Sequence, residues 1–195
     1  MTTRLPAAER RRQLLGTAVE VFGGRGFHAA SMDDVARAAG VTKPVLYQHF
    51  RSKRDLYREI LEDVGEQLLG IIAATVVPAE PPHRQVEQAF TAYFRFVADH
   101  PSAFGLLFGG GPRRDGEFSE VVRDVEEKVA GAIAARIAAD LDPEHRRTLA
   151  FALVGLAEAT ARHWLIDDLD VEPERLARQV ADLAWAGLRG VHRLH

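Results

Sequence analysis

The sequence predicts an all-α fold, with a head of three helices at the N-terminus followed by a helical body of about six. Two observations support this prediction. Apolar residues recur at intervals of three and four, and no stretch alternates as a half-buried strand would. Capping residues and prolines also divide the chain into segments of helix length. With 195 residues, 47% of them hydrophobic, the chain can hold a small domain joined to a larger one.

Helix 1 is predicted from about Ala7 to Phe22, because one face carries apolar side chains at helical spacing. The glycines at positions 23, 24 and 26 are expected to end it, since glycine tolerates the left-handed conformation of a helix C-cap. Ser31, with Asp34 three residues later, has the spacing of a capping box and predicts the start of helix 2.

Helix 3 is predicted after Thr42, with Pro44 in its first turn, where proline costs little. Ser52 predicts the start of a long helix 4. Three prolines between Val76 and His83 interrupt the helical pattern, and helix 5 follows them. The remaining boundaries are predicted from prolines and glycines: Pro101, Pro143 and Pro173 begin helices 6, 8 and 9, and the loop from Gly109 to Pro112 precedes helix 7.

Helices 2 and 3 have the features of a helix-turn-helix. Two helices that cross closely need a small residue at the crossing, which Ala36 supplies, and the turn needs a residue that accepts positive φ, which Gly40 supplies. Four apolar residues are spaced to point inward: Val35, Ala39, Val41 and Leu46. Because these requirements are met in register, a DNA-reading helix-turn-helix is favoured over a plain helical hairpin.

The charge is distributed unevenly along the chain. Residues 1–60 hold 11 Lys and Arg against 6 Asp and Glu, whereas residues 61–195 hold 14 against 22. A basic head on an acidic body is typical of a protein whose head meets a polyanion. An ordinary solvated surface would explain the charge equally well, so the helix-turn-helix motif decides between the two interpretations.

We expect double-stranded DNA to be contacted by helix 3 and the residues that flank it. Lys43 is placed to reach guanine acceptors and Gln48 an adenine edge, because the N-terminal turn of a recognition helix points into the major groove. Phosphate contacts are expected from the other polar residues. Tyr47 could instead pack on the head's own core, and His49 could be a surface histidine without a partner. The complete predicted DNA-binding set is Ser31, Thr42, Lys43, Pro44, Tyr47, Gln48, His49 and Lys53.

Residues from about 10 to 60 resemble the N-terminal domain of the TetR family of transcriptional regulators. The run GVTKPVLYQHFRSKRDL (residues 40–56) carries the resemblance, above all its LYxHF core followed by SK. The resemblance implies an all-helical homodimer that binds a near-palindromic operator, with a DNA-binding domain over residues 1–55 and a ligand-binding and dimerisation domain over residues 56–195. Ala30 departs from the family, which often has Thr or Ser there, so a phosphate contact from position 30 is not expected.

A homodimer is also favoured by helices 8 and 9. Helix 8 is apolar on two sides, and helix 9 carries two adjacent apolar stripes, one of which begins with three alanines that would allow close approach of another helix. Alternatively, these stripes fill the core of a single chain. The predicted dimer-interface residues are Phe151, Val154, Leu165, Ala177, Ala181, Ala184, Leu188 and Val191.

Aromatic residues concentrate between the head and helix 9, which suggests a largely apolar pocket for a hydrophobic small-molecule effector. Core packing is the alternative explanation for most of them. The polar groups that could orient a ligand are Tyr93, His100, Arg162 and His163. The predicted ligand-binding residues are Phe90, Tyr93, Phe94, Val97, Phe104, Phe108, Phe118, His163 and Trp164.

Other classes of function lack support in the sequence. There is no cysteine for disulfides or thiolate metal sites, no apolar run of membrane-spanning length, and no signal-peptide core. No metal site, cofactor or catalytic arrangement is predicted, so the protein is not expected to be an enzyme or to bind a membrane. We expect a cytoplasmic, ligand-responsive regulator, and a repressor because repression is the family's usual mode. The alternative is a helical ligand-binding or scaffolding protein whose head contacts a protein.

Overall fold

The computed structural model describes residues 6–109, 116–137 and 141–191. Within these ranges there are nine helices and no strand, which confirms the predicted all-α fold. The helices are α1 (Ala7–Ala29), α2 (Met32–Ala38), α3 (Lys43–His49), α4 (Lys53–Thr75), α5 (Pro82–Asp99), α6 (Pro101–Phe108), α7 (Gly116–Ala134), α8 (Pro143–Ile166) and α9 (Pro173–Arg189).

The predicted starts of α2 and α4 are confirmed by capping hydrogen bonds. At α2, the Ser31 hydroxyl accepts the Asp34 N–H at 3.2 Å and the Asp34 carboxylate accepts the Ser31 N–H at 3.0 Å, which completes the capping box. At α4, the Ser52 hydroxyl accepts the Asp55 N–H at 3.0 Å. The prolines of the predicted helices 5, 6, 8 and 9 lie in the first turns of α5, α6, α8 and α9.

Helix α1 does not end at Phe22 as predicted. The helix continues through Gly23 and Gly24 to a break at Gly26. Gly26 has φ 77° and ψ 162°, and it is the one residue with a non-helical backbone between Ala7 and Ala29. Gly23 has a different role from ending the helix. A Cβ atom at this position would lie 2.6 Å from the Cβ of Ser102, and the Ser102 hydroxyl donates to the Glu20 carboxylate at 2.8 Å. The close approach of residue 102 explains the glycine, and this contact is invisible in the local sequence.

The described residues form two compact units. The first contains those within Met1–Gly65 and Ser102–Val122, and the second those within Glu66–Pro101 and Arg123–His195. Helices α4 and α7 each contribute residues to both units. The first unit has an aromatic cluster in which the rings of Tyr57 and Phe118 both contact Phe27, at centroid distances of 4.8 and 4.9 Å, and Tyr57 also contacts Phe22 at 5.2 Å.

In the second unit, α5 packs lengthwise against α9 and also against α8. The α9 alanines at positions 177, 181 and 184 are all buried within the single chain. This placement corrects the prediction that Ala177, Ala181 and Ala184 meet a partner subunit, because side chains that are already covered offer it no surface. They belong to the intrachain core that was the alternative. Val191 lies beyond the end of α9 and is half-buried.

Helix α8 is apolar but poorly covered within the single chain. It is long and apolar enough to cross a membrane by length and composition, yet only 22% of its most apolar window is buried in the single chain. A helix that packs in a core or an interface passes the same test of composition. Phe151, Val154 and Leu165 are all half-buried, so each keeps apolar surface that this chain does not cover. The predicted loop residues 110–112 lie outside the described residues.

The two glycines near the end of α1 allow a stability test of the break. We expect Gly26→Ala to lower the free energy of unfolding by about 1–3 kcal/mol, because its backbone conformation is essentially restricted to glycine. Gly24→Ala is the matched control. It lies in regular helix with nothing within 4 Å of an added Cβ, so it should stabilise by roughly 0.5–1 kcal/mol. Urea unfolding followed by circular dichroism measures both, and effects of the same sign would contradict this account.

Candidate functional site

The turn between α2 and α3 has the predicted helix-turn-helix geometry. Gly40 has φ 66°, a left-handed conformation that favours glycine. Its N–H donates to the Arg37 carbonyl at 3.2 Å, and the Val41 N–H donates to the Ala36 carbonyl at 2.9 Å. Ala36 itself is buried, as the close crossing of the two helices requires. The local sequence therefore fixes the direction in which α3 leaves the turn.

Helix α3 has one buried face and one exposed face. Leu46 is fully buried, as is Phe50 directly after the helix. On the opposite side, Lys43, Pro44, Tyr47 and Gln48 are exposed at i, i+1, i+4 and i+5 spacing, which places them on one helix face. Tyr47 is 44% exposed, so its ring is not part of the head's core.

Lys43 is paired within the chain but remains accessible. Its Nζ lies 3.0 Å from Oδ2 of Asp33, and this hydrogen bond raises the pKa of Lys43. Both side chains are at least half exposed, and an exposed pair of this kind contributes little to stability. The lysine is therefore fully charged at neutral pH and can leave Asp33 at small cost.

The flanking hydroxyls differ in their availability. Thr42 is exposed at the N-cap of α3, and its side chain makes no capping hydrogen bond. The Ser31 hydroxyl both accepts the Asp34 N–H and donates to the Asp34 carboxylate at 2.6 Å. Its hydrogen-bonding capacity is largely used by the cap of α2. His49 is half-buried, with its ring 6.3 Å from that of Phe50.

Lys53 is held against the first unit's aromatic cluster. Its Nζ lies 4.5 Å from the ring centroid of Phe27 and donates to the His28 carbonyl at 3.3 Å. Partial burial lowers its pKa. The ammonium is thus oriented by a cation–π contact and a hydrogen bond before any ligand is bound.

Two arginines beside α3 were missed by the sequence reasoning. The Arg11 guanidinium lies 4.5 Å from the Phe50 ring centroid and 2.6 Å from the Glu59 carboxylate, so it connects α1, the end of α3 and α4. Arg51 is the second residue after α3, and it is exposed. Arg51 could have been predicted as a DNA contact, because it lies between two predicted helices. No feature of the local sequence indicates the contacts that Arg11 makes.

The predicted effector residues divide between the two units. Phe90, Tyr93, Phe94 and Val97 are buried on α5 in the second unit, where the half-buried Trp164 ring lies 6.3 Å from Phe94. The first unit contains the other three predicted phenylalanines, all buried: Phe104, Phe108 and Phe118. Since Phe118 packs between Phe27 and Tyr57, we correct its assignment from ligand lining to the core of the first unit.

Two histidines proposed to orient a ligand are at the surface. His163 is exposed, with its Nδ1 in hydrogen-bond contact with the Asp167 carboxylate, and His100 is also exposed, with its ring 5.1 Å from that of Phe96. Neither is enclosed within the single chain, so a role for either in orienting a ligand stays a prediction. Arg162 is different, since it pairs with the buried Glu158 on the same face of α8.

Two protein-family models match this chain. Residues 14–60 match the family model described as bacterial regulatory proteins, tetR family, and residues 82–187 match that of the tetracyclin repressor-like C-terminal domain. The chain is 34% identical over 190 residues to the HTH-type transcriptional activator FasR of Mycolicibacterium smegmatis, a match that covers 96% of this chain and 87% of FasR. The chain belongs to the TetR family.

Solved structures of TetR-family regulators have the same fold. A TetR-like transcriptional regulator from Rhodococcus sp. RHA1 superposes with a TM-score of 0.79 at 30% identity, covering 96% of this chain and all of that one. The regulator FadR from Bacillus subtilis, solved in complex with stearoyl-CoA, superposes with a TM-score of 0.77 at 17% identity, over 93% and 99% of the two chains. Other relatives are named repressors, so the family includes both activators and repressors.

The capping box of α2 predicts a pH dependence of stability. The hydrogen bond from Ser31 lowers the pKa of Asp34, helped by the nearby Arg25 and Arg37. A lowered pKa in the folded state contributes stability above the unfolded-state pKa, and this contribution is lost as the pH falls through the folded-state value. Asp34→Asn should therefore lower the melting temperature most at neutral pH, and the difference from the parent should shrink below about pH 4.

Ser31→Ala provides the control for this pH dependence. This variant keeps the Asp34 carboxyl group but removes the hydroxyl that lowers its pKa. Its melting temperature should therefore depend less on pH in the acidic range than that of the parent. Melting curves from pH 7 to pH 3 compare the three proteins. If Asp34→Asn and the parent lost stability in parallel over the whole range, the capping carboxylate would not be the titrating group.

Proposed function

We propose that this TetR-family protein is a ligand-responsive transcriptional regulator of the cytoplasm that binds a palindromic operator as a homodimer and is released by a hydrophobic small molecule. The observation that supports it most strongly is the exposed face of α3, on which Lys43, Tyr47 and Gln48 project from a helix fixed by Leu46 and Phe50. A polar and cationic face on a supported helix suits entry into the major groove.

The DNA-contacting residues are proposed to divide into two groups. Lys43 and Gln48 read base edges, since their side chains carry the donors and acceptors that guanine and adenine present in the major groove. Thr42, Tyr47, His49 and Lys53 bind phosphates. Ser31 and Pro44 support the interface through the cap and the first turn, and Arg51 adds a phosphate contact that the sequence reasoning missed.

The proposed dimer interface lies on the uncovered faces of α8 and α9. Ile166 is 73% exposed and Leu183 is 63% exposed, although both are large apolar residues. Ala152, Gly155 and Ala159 are exposed on one face of α8, and a Cβ added at Gly155 would have nothing within 4 Å. A glycine inside a helix costs about 1 kcal/mol relative to alanine. The close approach of a partner helix would explain why it is there.

Some of the interface residues predicted from the sequence fit this surface. Phe151, Val154, Leu165, Leu188 and Val191 are half-buried in one chain, so a partner could cover the rest of each. Their apolar area would add to that of Ile166 and Leu183.

The proposed effector is an apolar molecule held in the second unit by α5 and α8. Phe90, Phe94 and Trp164 supply aromatic surface there. The FadR structure with stearoyl-CoA makes long acyl compounds a reasonable first class of probe, although that resemblance extends only to the fold. Helices α4 and α7 contribute residues to both units. Effector binding would favour one of two alternative packing arrangements of the protein, and the favoured arrangement would have the lower affinity for the operator.

Repression remains our prediction for the sign of regulation. FasR is named an activator, other relatives are named repressors, and no residue of the head distinguishes the two modes. In vitro transcription from a promoter that carries the selected operator decides the sign, because a repressor lowers the transcript yield and an activator raises it.

The operator itself can be obtained by selection from a random duplex library, and two lysine variants then test the proposed roles. Lys43→Met should relax the selected sequence, because it removes a base contact worth about 1–3 kcal/mol of discrimination. Lys53→Met should weaken all duplexes alike and reduce the slope of log affinity against log salt by roughly 0.9. Fluorescence anisotropy over a range of salt concentrations measures both.

Lys128→Met is the matched control for these variants. It removes the same charge from an exposed ion pair, that of Lys128 with Asp124 on α7, and should change neither the operator sequence nor the salt slope. If the parent protein bound no duplex at low ionic strength, the DNA-binding proposal would be wrong. The alternative, a head that contacts a protein, would then be favoured.

Two exposed glycines test the dimer interface. Gly155→Glu should convert the dimer to a monomer, because it places a charged side chain where a partner helix is proposed to pack. Gly131→Glu on α7 makes the same change at another exposed helical glycine with nothing within 4 Å, and should remain dimeric. Sedimentation velocity at micromolar concentration distinguishes them, and a monomeric parent would refute the dimer.

A further inference from the structure

The Tyr93 hydroxyl is buried without a hydrogen-bond partner. Among the described residues only two buried side-chain polar atoms lack one, the Tyr93 hydroxyl and Nε of Arg146. Arg146 has further N–H groups with which to bond, whereas the phenol has a single hydroxyl. A buried hydroxyl left unsatisfied costs about 1–3 kcal/mol, so its retention calls for an explanation.

The surroundings of Tyr93 on α5 are apolar. Phe90 and Phe94 are buried beside it on the same helix, and the Tyr93 and Phe94 rings meet edge to face at 5.3 Å. Phe94 in turn contacts Trp164 of α8 at 6.3 Å. Among its neighbours on α5, the hydroxyl is therefore a polar group within an aromatic surface, the one on which the proposed effector site is built.

Two charged groups of α8, against which α5 packs, act on the Tyr93 hydroxyl: those of Glu158 and Arg162. Glu158 is buried and forms an ion pair with Arg162, and its side chain is 11% exposed whereas that of Arg162 is 40% exposed. The negative end of the pair is therefore the one that lies inside. Burial, and secondarily the charge of Glu158, raises the pKa of Tyr93, so the hydroxyl keeps its proton at neutral pH. It can donate a hydrogen bond under all ordinary conditions.

We propose that the Tyr93 hydroxyl donates a hydrogen bond to an uncharged carbonyl oxygen of the effector, such as that of an ester, thioester, amide or ketone attached to an apolar chain. This inference rests on the proposed function, which supplies an apolar effector in the second unit. A carbonyl accepts the one proton that Tyr93 offers and completes its hydrogen bonding. A free carboxylate is disfavoured, because burying its charge in an apolar region would cost more than a single hydrogen bond from Tyr93 returns.

The experiment compares three probes of similar length: methyl laurate, laurate and the hydrocarbon tridecane. Binding to the full-length parent and to Tyr93→Phe is measured by the shift in melting temperature and by titration calorimetry. The parent should bind methyl laurate about tenfold more tightly than laurate. Tyr93→Phe should weaken methyl laurate about tenfold, equivalent to one hydrogen bond, and leave tridecane unchanged.

Two internal controls separate a ligand contact from a structural role. Without ligand, Tyr93→Phe should melt at the same temperature as the parent or higher, because it removes an unsatisfied buried hydroxyl. A clear loss of stability would reveal a hydrogen bond within the protein and overturn the proposal. Tyr57→Phe removes the hydroxyl of another buried tyrosine, in the first unit, and should leave the preference among probes unchanged.

The outcomes distinguish this inference from the proposed function. If Tyr93→Phe and the parent bind methyl laurate equally, or the parent prefers laurate, the Tyr93 assignment is wrong while an apolar effector site still stands. If the parent binds operator DNA but none of the three probes, the proposal of an apolar effector fails, and the Tyr93 assignment fails with it.

Discussion

The short helix α3 depends on contacts made outside it. Helix α3 has seven residues, and isolated helices of that length do not persist in water. Its orientation is therefore determined by Leu46 and Phe50, which are fully buried, and by the turn at Gly40. Arg11 adds a restraint from α1, because its guanidinium lies over the Phe50 ring and pairs with Glu59 of α4. The exposed polar face of α3 projects from the head only because the opposite face is held on several sides.

Most helix boundaries could be predicted because they depend on local interactions. The capping box needs only residues three apart, the turn at Gly40 needs one positive φ, and a proline excludes itself from a helix interior. The end of α1 could not be predicted in this way. All three glycines permit a break, and local sequence does not reveal that Gly23 instead allows the close approach of Ser102, far along the chain.

The exposed face of α3 was predictable for a similar reason, since helical periodicity separates Lys43 and Tyr47 from Leu46. The contacts that each side chain makes could not be predicted. Long-range packing places Lys53 over the Phe27 ring and brings Phe118 into the same aromatic cluster. The two apolar stripes of α9 were ambiguous as well, because periodicity locates a stripe but does not reveal which neighbour covers it. The alanines at positions 177, 181 and 184 face the interior of their own unit.

Helix α8 connects the two proposals made for the second unit. Glu158 is buried on this helix, and Ala152, Gly155 and Ala159 are exposed on a neighbouring side of it. Side chains on neighbouring sides of one helix move together when that helix shifts or rotates. An effector that orders the α5–α8 contact around Tyr93 would therefore also alter the surface offered to a partner subunit. Effector binding and dimer geometry would be coupled through a single rigid element, which is the minimum that a ligand-dependent change in paired DNA-binding heads requires.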